Sequence, residues 1–317
     1  MKDPLFSMKQ FITITALIII VGVCAYFLHN RQLPDVQPTR FSIVCTTSII
    51  GDTIRRLVGD DASVTSLMGP DIDPHLYRAR EHDIHTLASA NLIIYNGLHL
   101  EGKLADVLHS MNRYVPTLSI ADHLERSRFI ASNEYDTMYD PHIWFDVRIW
   151  IDAAAIIRDA LMQHDPEHAD AYAARAAAYI NELEALDTFI REQVSRLAPT
   201  QRILVTAHDA FHYFGRAYGF QVVALQGIST ESEAGIKDVQ ELVSFIVEHK
   251  VRALFVEASI PERNIQAVQQ AARARGFAVG IGDQLYSDAL GPVGSPADTY
   301  IGMVRHNIAA IISALTA

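Results

Sequence analysis

The chain is short of cysteine and of positive charge, and each shortage argues against a class of protein. Only two cysteines occur in 317 residues, Cys24 in an apolar segment and Cys45 in a β-type run. If Cys24 is cleaved away or lipidated, Cys45 has no exported partner, which excludes a disulfide framework. The formal charge of −11 leaves no basic stripe that could neutralise phosphates, so we expect no nucleic-acid partner. A phosphate-binding glycine loop is also missing, so the chain is not expected to hydrolyse ATP itself.

Residues 1–31 are expected to form a signal or membrane-anchor segment. Residues 11–28 are an almost unbroken apolar run, with lysines before it and Arg31 after it. The run is longer than most signal-peptide cores and near the minimum length of a membrane-spanning helix. The segment could therefore be cleaved as a signal peptide or retained as a membrane anchor. Val21-Gly-Val-Cys24 resembles a bacterial lipoprotein box, in which the cysteine would be lipidated. In each case residues 32–40 are a polar linker, and the chain from residue 32 onward is exported.

Short β-branched runs then alternate with helical patterns, which predicts an α/β fold with parallel sheets. The runs are residues 41–46, 63–67, 92–95, 203–206, 222–225, 253–256 and 278–281. Residues 166–199 interrupt the alternation, because their apolar side chains recur at spacings of three and four. A helix of roughly 30 residues is about 45 Å long. We interpret it as the connector between an N-terminal lobe, residues 41–165, and a C-terminal lobe, residues 200–317; the alternative is a surface helix within one domain.

Two stretches nearly repeat each other, Asp-Pro-His-Leu-Tyr at 73–77 and Asp-Pro-His-Ile-Trp at 140–144. Proline fixes φ and restricts the residue before it, so His75 and His142 each follow a stiffened turn and lose little entropy when held in place. A metal ligand on a loop needs such restraint. Both histidines are therefore candidate metal ligands, and the alternative is a pair of Asp-Pro turns with incidental histidines.

His208 follows a predicted strand, which places it at the carboxyl edge of a parallel sheet, where open α/β folds bind their ligands. His208 and His212 also have the four-residue spacing of a zinc-protease helix. Such a helix uses glutamate as the general base, whereas Asp209 is one methylene shorter, and Gly215 and Gly219 weaken the helix. A zinc metallohydrolase using His208 and His212 is therefore the weaker interpretation. We expect His212 to lie near the site, one helical turn from His208, with a secondary or transit role as an alternative.

The fourth candidate is Asp288, in a polar loop beyond the last predicted strand, and Asp283 competes with it. Spacing alone does not separate the two. Three neutral imidazoles and one carboxylate suit zinc, and also manganese or iron(II). Catalytic zinc usually keeps one position for water, whereas four protein ligands would fill this site. We therefore expect capture and release of one divalent metal ion, and no enzyme activity.

These residues lie in motifs that resemble the TroA-like zinc- and manganese-binding extracytoplasmic proteins of ABC importers. The similarity runs from about Ser42 to the C-terminus through LMGPDIDPHLY, ANLIIYNGLHLE, DPHIWFDV, VTAHDAFHYFGRAYGF, LQGIST, FVEASIP and LYSDALG, in the family's order. The resemblance implies two lobes, each a small parallel sheet flanked by helices, joined by one long helix, with the metal in the cleft between them. It implies His75, His142, His208 and Asp288, in preference to Asp283, as the ligands. The implied partners are a membrane permease and a cytoplasmic ATPase, and we expect a monomer.

Two departures from the family bear on the choice of metal. His212 stands where the family motif usually has glycine, and residues 127–140 contain acids but no histidine, unlike the histidine-rich loop of many zinc-specialised members. The third ligand is His208, where many manganese members have glutamate. Zinc, manganese and iron(II) therefore stay open as cargo. Some relatives are described as adhesins, which leaves a metal-containing adhesin as a further alternative.

Overall fold

Two parallel four-stranded sheets, each flanked by helices, form the core of a computed structural model that describes residues 40–132 and 138–316. The strand order is β2-β1-β3-β4 in the first sheet and β6-β5-β7-β8 in the second. The strands are β1 (Phe41–Cys45), β2 (Ala62–Ser66), β3 (Leu92–Tyr95), β4 (Thr117–Ser119), β5 (Ile203–Thr206), β6 (Gln221–Ala224), β7 (Ala253–Leu254) and β8 (Gly280–Ile281). The two sheets repeat one order of strands, and the predicted α/β class with parallel sheets is confirmed.

Helices connect the strands and cover the sheets. In chain order they are α1 (Ser48–Val58), α2 (Glu81–Ala88), α3 (Ala105–Met111), α4 (Val147–His164), α5 (Ala169–Val194), α6 (His212–Tyr218), α7 (Ile236–His249), α8 (Arg263–Ala274) and α9 (Tyr300–Thr316). Within the described ranges no helix is both long and apolar enough to cross a membrane. The predicted signal or anchor segment, including Cys24, and the linker up to residue 39 lie outside the described residues.

The predicted strands agree closely with the structure at β1, β3 and β5, which are each paired on both edges. β1 lies between β2 and β3, with Ile43 opposite Val64 on one side and Leu92 on the other. A strand buried in this way must be apolar along its length, which gives a clear sequence signal. β4 was not predicted, because an edge strand of three residues is too short to show a periodic pattern. β7 and β8 are two residues each, shorter than the predicted runs.

The long helix was predicted at 166–199 but is shorter. A 3₁₀ turn at Pro166–His168 precedes α5, which ends at Val194, and a second 3₁₀ turn follows at Pro199–Gln201. Leu197 is 1% exposed although it lies outside the helix. The apolar pattern therefore continues past the end of α5, because a non-helical turn also buries its leucine in the core.

The C-terminal segment returns to pack against the first half of the chain. The backbone N–H of Leu290 donates to Oγ of Ser48 at 3.0 Å, and that of Tyr300 donates to Oδ2 of Asp52 at 2.8 Å. α9 then packs against α1 and α5, and its buried side chains join those helices in one hydrophobic cluster. The first and second halves are thus linked by this contact as well as by α5.

Candidate metal centre

His75 lies on the loop between β2 and α2, and its position is set by the turn before it. Oδ1 of Asp73 accepts a hydrogen bond from the backbone N–H of His75 at 2.8 Å. The other carboxylate oxygen, Oδ2, accepts from the hydroxyl of Thr230 at 2.5 Å, which links this turn to the second half of the chain. The Asp-Pro-His turn therefore holds the backbone of His75 and leaves its imidazole free to point into the site.

His142 occupies the second Asp-Pro-His turn, directly before a 3₁₀ turn at Ile143–Phe145 that leads into α4. Oδ1 of Asp140 accepts from the backbone N–H of His142 at 2.9 Å and lies 2.7 Å from its Nδ1. The carboxylate thus keeps the proton on Nδ1 and leaves Nε2 as the nitrogen that faces the site. Asp140 itself is fully buried.

His208 follows the carboxyl end of β5 and is oriented by Glu257, which follows β7. Oε1 of Glu257 accepts from the backbone N–H groups of Ala207 and His208 at 2.8 and 2.9 Å. Its Oε2 lies 2.5 Å from Nδ1 of His208. Neighbouring parallel strands end at the same edge of the sheet, so the two residues meet although 49 positions separate them in sequence.

The structure separates the two candidate aspartates. Asp288 is 1% exposed and its carboxylate faces the histidines, whereas Asp283 lies on the surface. The hydroxyl of Ser259 donates to Oδ2 of Asp288 at 3.5 Å. Asp288 is therefore the aspartate that joins the cluster.

Four side chains converge on one point, two from before α5 and two from after it. Ligand atoms of His75, His142, His208 and Asp288 all lie within 4.8 Å of one another, and no other such group of histidine, cysteine or acidic residues occurs within residues 40–132 and 138–316. Nε2 of His142 lies 3.3 Å from Nε2 of His75 and 3.4 Å from Oδ1 of Asp288. Nε2 of His208 lies 3.3 Å from Oδ2 of Asp288. Metal–ligand bonds of about 2.0–2.1 Å place the donors of a tetrahedral site about 3.3–3.4 Å apart, so these three distances fit donors around one metal ion.

Buried ligand atoms that lack a hydrogen-bond partner also support a metal ion at this site. In the described part of the chain, Nε2 of His208 and Oδ1 of Asp288 make no directed hydrogen bond, although both are buried. Leaving buried polar groups without a partner costs free energy. A divalent cation bound between these two atoms would satisfy both.

Burial and neighbouring charges move the four pKa values in different directions. Burial lowers the pKa of His75 to about 3. Burial also acts to lower the pKa of His142, but Asp140 and then Asp288 outweigh it and raise that pKa to about 9. The pKa of His208 is likewise raised well above its ordinary value, because Glu257 and Asp288 outweigh burial. Burial acts to raise the pKa of Asp288, but His208 and His142 hold it well below its usual range. A metal ion therefore competes with protons for His142 and His208, but not for His75.

His212 lies beside this cluster and not within it. α6 begins at His212, so His208 precedes the helix, and the expectation of one helical turn between the two histidines is wrong. Nε2 of His212 lies 3.1 Å from Oδ1 of Asp209, and its Nδ1 lies 3.8 Å from Oδ2 of Asp140. The helix on which a zinc protease holds its metal is thus absent from this stretch, since His208 lies in a bend just after β5 and only His212 is helical.

The carboxylates that orient the ligands were not predicted from the sequence. Asp140 was noted only as part of a turn, and Glu257 was not singled out at all. A signal for Glu257 exists, because an acidic residue directly after a buried strand of the same parallel sheet as β5 must reach the same edge as His208. Trp144 is also close, with its ring centroid 5.3 Å from that of His142.

Comparison with known proteins gives relatives over nearly the whole described chain. The manganese-binding lipoprotein MntA of Bacillus subtilis is 44% identical over 276 residues, which cover 87% of this chain and 90% of MntA. The zinc-binding protein TroA of Treponema pallidum is 40% identical over 303 residues, which cover 95% of this chain and 98% of TroA. The metal ABC transporter substrate-binding lipoprotein SsaB of Streptococcus sanguinis is 26% identical over 304 residues, which cover 92% of this chain and 94% of SsaB.

The fold agrees with these sequence relations. The solved structure of the periplasmic zinc-binding protein TroA from Treponema pallidum matches with a TM-score of 0.85 and 41% identity, over 87% of this chain and 99% of that one. A sequence model of the family ZnuA, described as zinc-uptake complex component A, periplasmic, matches residues 43–314. The chain therefore belongs to the ZnuA family of periplasmic zinc-uptake components.

Proposed function

We propose that the chain binds one divalent transition-metal ion through His75, His142, His208 and Asp288 outside the cytoplasm and delivers it to the permease of an ABC importer. The observation that carries the proposal is the convergence of three imidazole nitrogens and one carboxylate at the spacings of a four-coordinate site. Zinc, manganese and iron(II) are the candidate cargoes, since this mixed nitrogen and oxygen donor set suits each of them.

The burial of the site supports transport in preference to catalysis. The four side chains are 0–3% exposed, and all four are in place to contact the ion. A catalytic metal needs a coordination position open to water or substrate. The chemistry of this site is therefore ligand exchange. The protein replaces the water ligands of the metal ion and later releases the ion.

The arrangement around α5 supports a two-lobe organisation. Residues 41–165 contain the first sheet with His75 and His142, and residues 200–317 contain the second sheet with His208 and Asp288. The metal would then connect the two lobes, with 166–199 as the connecting segment. In this proposal the protein acts as a monomer, is held at the membrane by residues 1–31 or a lipid on Cys24, and works with a permease and a cytoplasmic ATPase.

The test is metal analysis of the purified protein, followed by competitive titration of the chelator-stripped protein with zinc and with manganese. We expect one equivalent of tightly held metal, lost in His75→Ala and His208→Ala and retained in His212→Ala. If the metal is lost in His212→Ala but kept in His75→Ala, the assigned site is wrong and a site on His208 and His212 replaces it. If the wild-type protein holds no stoichiometric metal, the proposed function is wrong.

A further inference from the structure

A cavity of about 200 Å³ adjoins the proposed metal site on one side. Its walls include His75, His99, Tyr139, Pro141, Ser229 and Glu231. Of the four proposed ligands, His75 is the one that lines this cavity. An ion that moves between the cavity and the buried centre therefore meets His75 first.

Two further side chains that carry possible metal-ligand atoms line this cavity, one from each half of the chain. His99 and Glu231 both line it and both lie on the surface, whereas the centre behind His75 is almost completely buried. Oε2 of Glu231 lies 2.7 Å from Nζ of Lys103, across 128 positions of sequence. Imidazole and carboxylate are donors that zinc and manganese accept. Since both groups are at the surface, they can contact an ion that still keeps part of its water shell.

The backbone that carries His99 is strained. Gly97, Leu98 and His99 have φ values of 86°, 51° and 67°, three consecutive residues in the left-handed region. Such a conformation costs free energy for a residue other than glycine, and residues held in it cluster at functional sites. Other interactions must therefore stabilise this strained turn.

A buried carboxylate holds this turn. Oε1 of Glu101 accepts from the backbone N–H of Asn96 at 2.9 Å and from the hydroxyl of Thr46 at 2.7 Å. The side-chain amide of Asn96 donates to the carbonyl of Pro141 at 3.0 Å, which ties the turn to the segment that carries His142. The position of His99 at the cavity is thus coupled to the position of a proposed ligand.

The imidazole of His99 packs against Gly102, where a larger residue would not fit. A Cβ added to Gly102 would lie 2.9 Å from Nε2 of His99, closer than real Cβ contacts come. Glycine at position 102 therefore lets the tip of the imidazole, Nε2, Cδ2 and Cε1, lie against the backbone of residue 102.

We propose that His99 and Glu231 form a transit site, which holds a divalent metal ion briefly as it passes through the cavity to or from His75. The inference rests on the proposed function and adds the route to it. To bind the ion, Glu231 exchanges its contact with Lys103 for a contact with the metal, and His99 supplies one nitrogen. The ion then moves on to His75 and leaves the transit site empty.

A transit site has a distinctive kinetic effect. Because it is vacated in the final complex, removal of one donor raises the barrier in both directions and leaves the equilibrium unchanged. We expect His99→Asn and Glu231→Gln each to slow association and dissociation of zinc by the same factor, about three- to tenfold, at unchanged Kd. Asparagine is chosen because it tolerates a positive φ and so preserves the turn.

The experiment is stopped-flow fluorescence on the metal-free full chain, mixed with Zn²⁺ for association and with excess chelator for dissociation. About 0.5 M salt shortens electrostatic screening lengths to a few ångströms, so that the loss of a charge at Glu231 does not act through long-range steering. His85→Gln and Glu248→Gln are the controls, because both residues are exposed and neither lines the cavity.

Rates equal to those of the controls, in either variant, overturn the transit site. A weaker Kd with unchanged association also overturns it, since that result makes the residue a ligand of the final complex. If His99→Asn does not fold, the rates measured for Glu231→Gln alone test the transit site. If the wild-type chain binds none of zinc, manganese and iron(II), the proposed function itself is contradicted, and this is recognised before any variant is compared.

Discussion

Glu257 and His208 form the contact on which the second half of the metal site depends: Oε2 of Glu257 lies 2.5 Å from Nδ1 of His208. The same carboxylate accepts from the backbone N–H groups of Ala207 and His208, and Glu257 is 1% exposed. The two backbone hydrogen bonds hold the loop of His208, and a carboxylate beside Nδ1 favours the tautomer that carries its proton there. Asp140 does the same for His142, through Oδ1 alone.

Glu257→Gln is expected to weaken metal binding about 10- to 100-fold, the usual effect of removing such a partner. The amide can still accept from the two backbone N–H groups, but its NH₂ would face Nδ1 of His208 and shift the ring proton to Nε2. Competitive titration against a chelator measures the change. Glu262→Gln is the control, because Glu262 is exposed. Equal affinity in both variants would show that Glu257 does not orient the ligand.

Metal affinity is expected to fall as pH falls. The pKa of His142 is raised to about 9 and that of His208 is raised well above its ordinary value, so both imidazoles carry protons at neutral pH in the metal-free protein. The pKa of His75 is lowered to about 3, so His75 is already neutral. Binding therefore releases protons from both imidazoles at pH 7, and affinity rises with pH until His142 and His208 are both neutral in the metal-free protein.

Calorimetric titration in buffers of different ionisation enthalpy counts these protons. The companion measurement is the dissociation constant between about pH 5 and 7.5, the range in which ordinary histidines titrate. A constant affinity over that range, with no protons released, would contradict ligation by His142 and His208.

Intrinsic fluorescence is expected to report metal binding through Trp144. Its ring centroid lies 5.3 Å from that of His142, and its indole N–H donates to the carbonyl of Ser287 at 2.9 Å, next to Asp288. Trp144→Phe should abolish most of the metal-dependent signal. Trp150→Phe is the matched control, since the indole of Trp150 donates to Thr53 on α1. A signal that persists in Trp144→Phe and disappears in Trp150→Phe would show that the site lies elsewhere.

Tyr300→Phe is expected to destabilise the metal-free protein by about 1–2 kcal/mol in free energy of unfolding. The hydroxyl of Tyr300 donates to the carbonyl of Trp144 at 2.7 Å and is fully buried, so the substitution leaves that carbonyl without its partner. Chemical denaturation measures the loss. Tyr114→Phe, at a side chain that is 82% exposed, should have no comparable effect. Equal stability of both variants would show that the contact between α9 and the 3₁₀ turn before α4 contributes little.

Local patterns in the sequence were sufficient for most of the strands and for most of the long helix. β3 and β5 have the predicted bounds, because each is an apolar run delimited by turn residues. The end of α5 was misplaced, since Leu197 is buried without being helical. β4 was missed because three residues carry too little pattern.

The candidate ligands were also predictable as a set. His75 and His142 lie in stiffened Asp-Pro turns, and His208 follows a buried strand. Residue type and local backbone are enough to nominate such positions. The choice between Asp283 and Asp288 came from the family resemblance and not from the residues themselves, because both follow the same strand and only burial distinguishes them.

The sequence by itself therefore determined the α/β class, the order of its elements and the chemical character of the site, because these depend on residues close to one another in the chain. The tertiary structure decided which side chains meet. The contact of Glu257 with His208, the return of α9 to α1 and the cavity between His99 and Glu231 each join segments that are far apart in sequence. Such contacts arise from the way the two sheets and α5 pack together, and no local pattern encodes that arrangement.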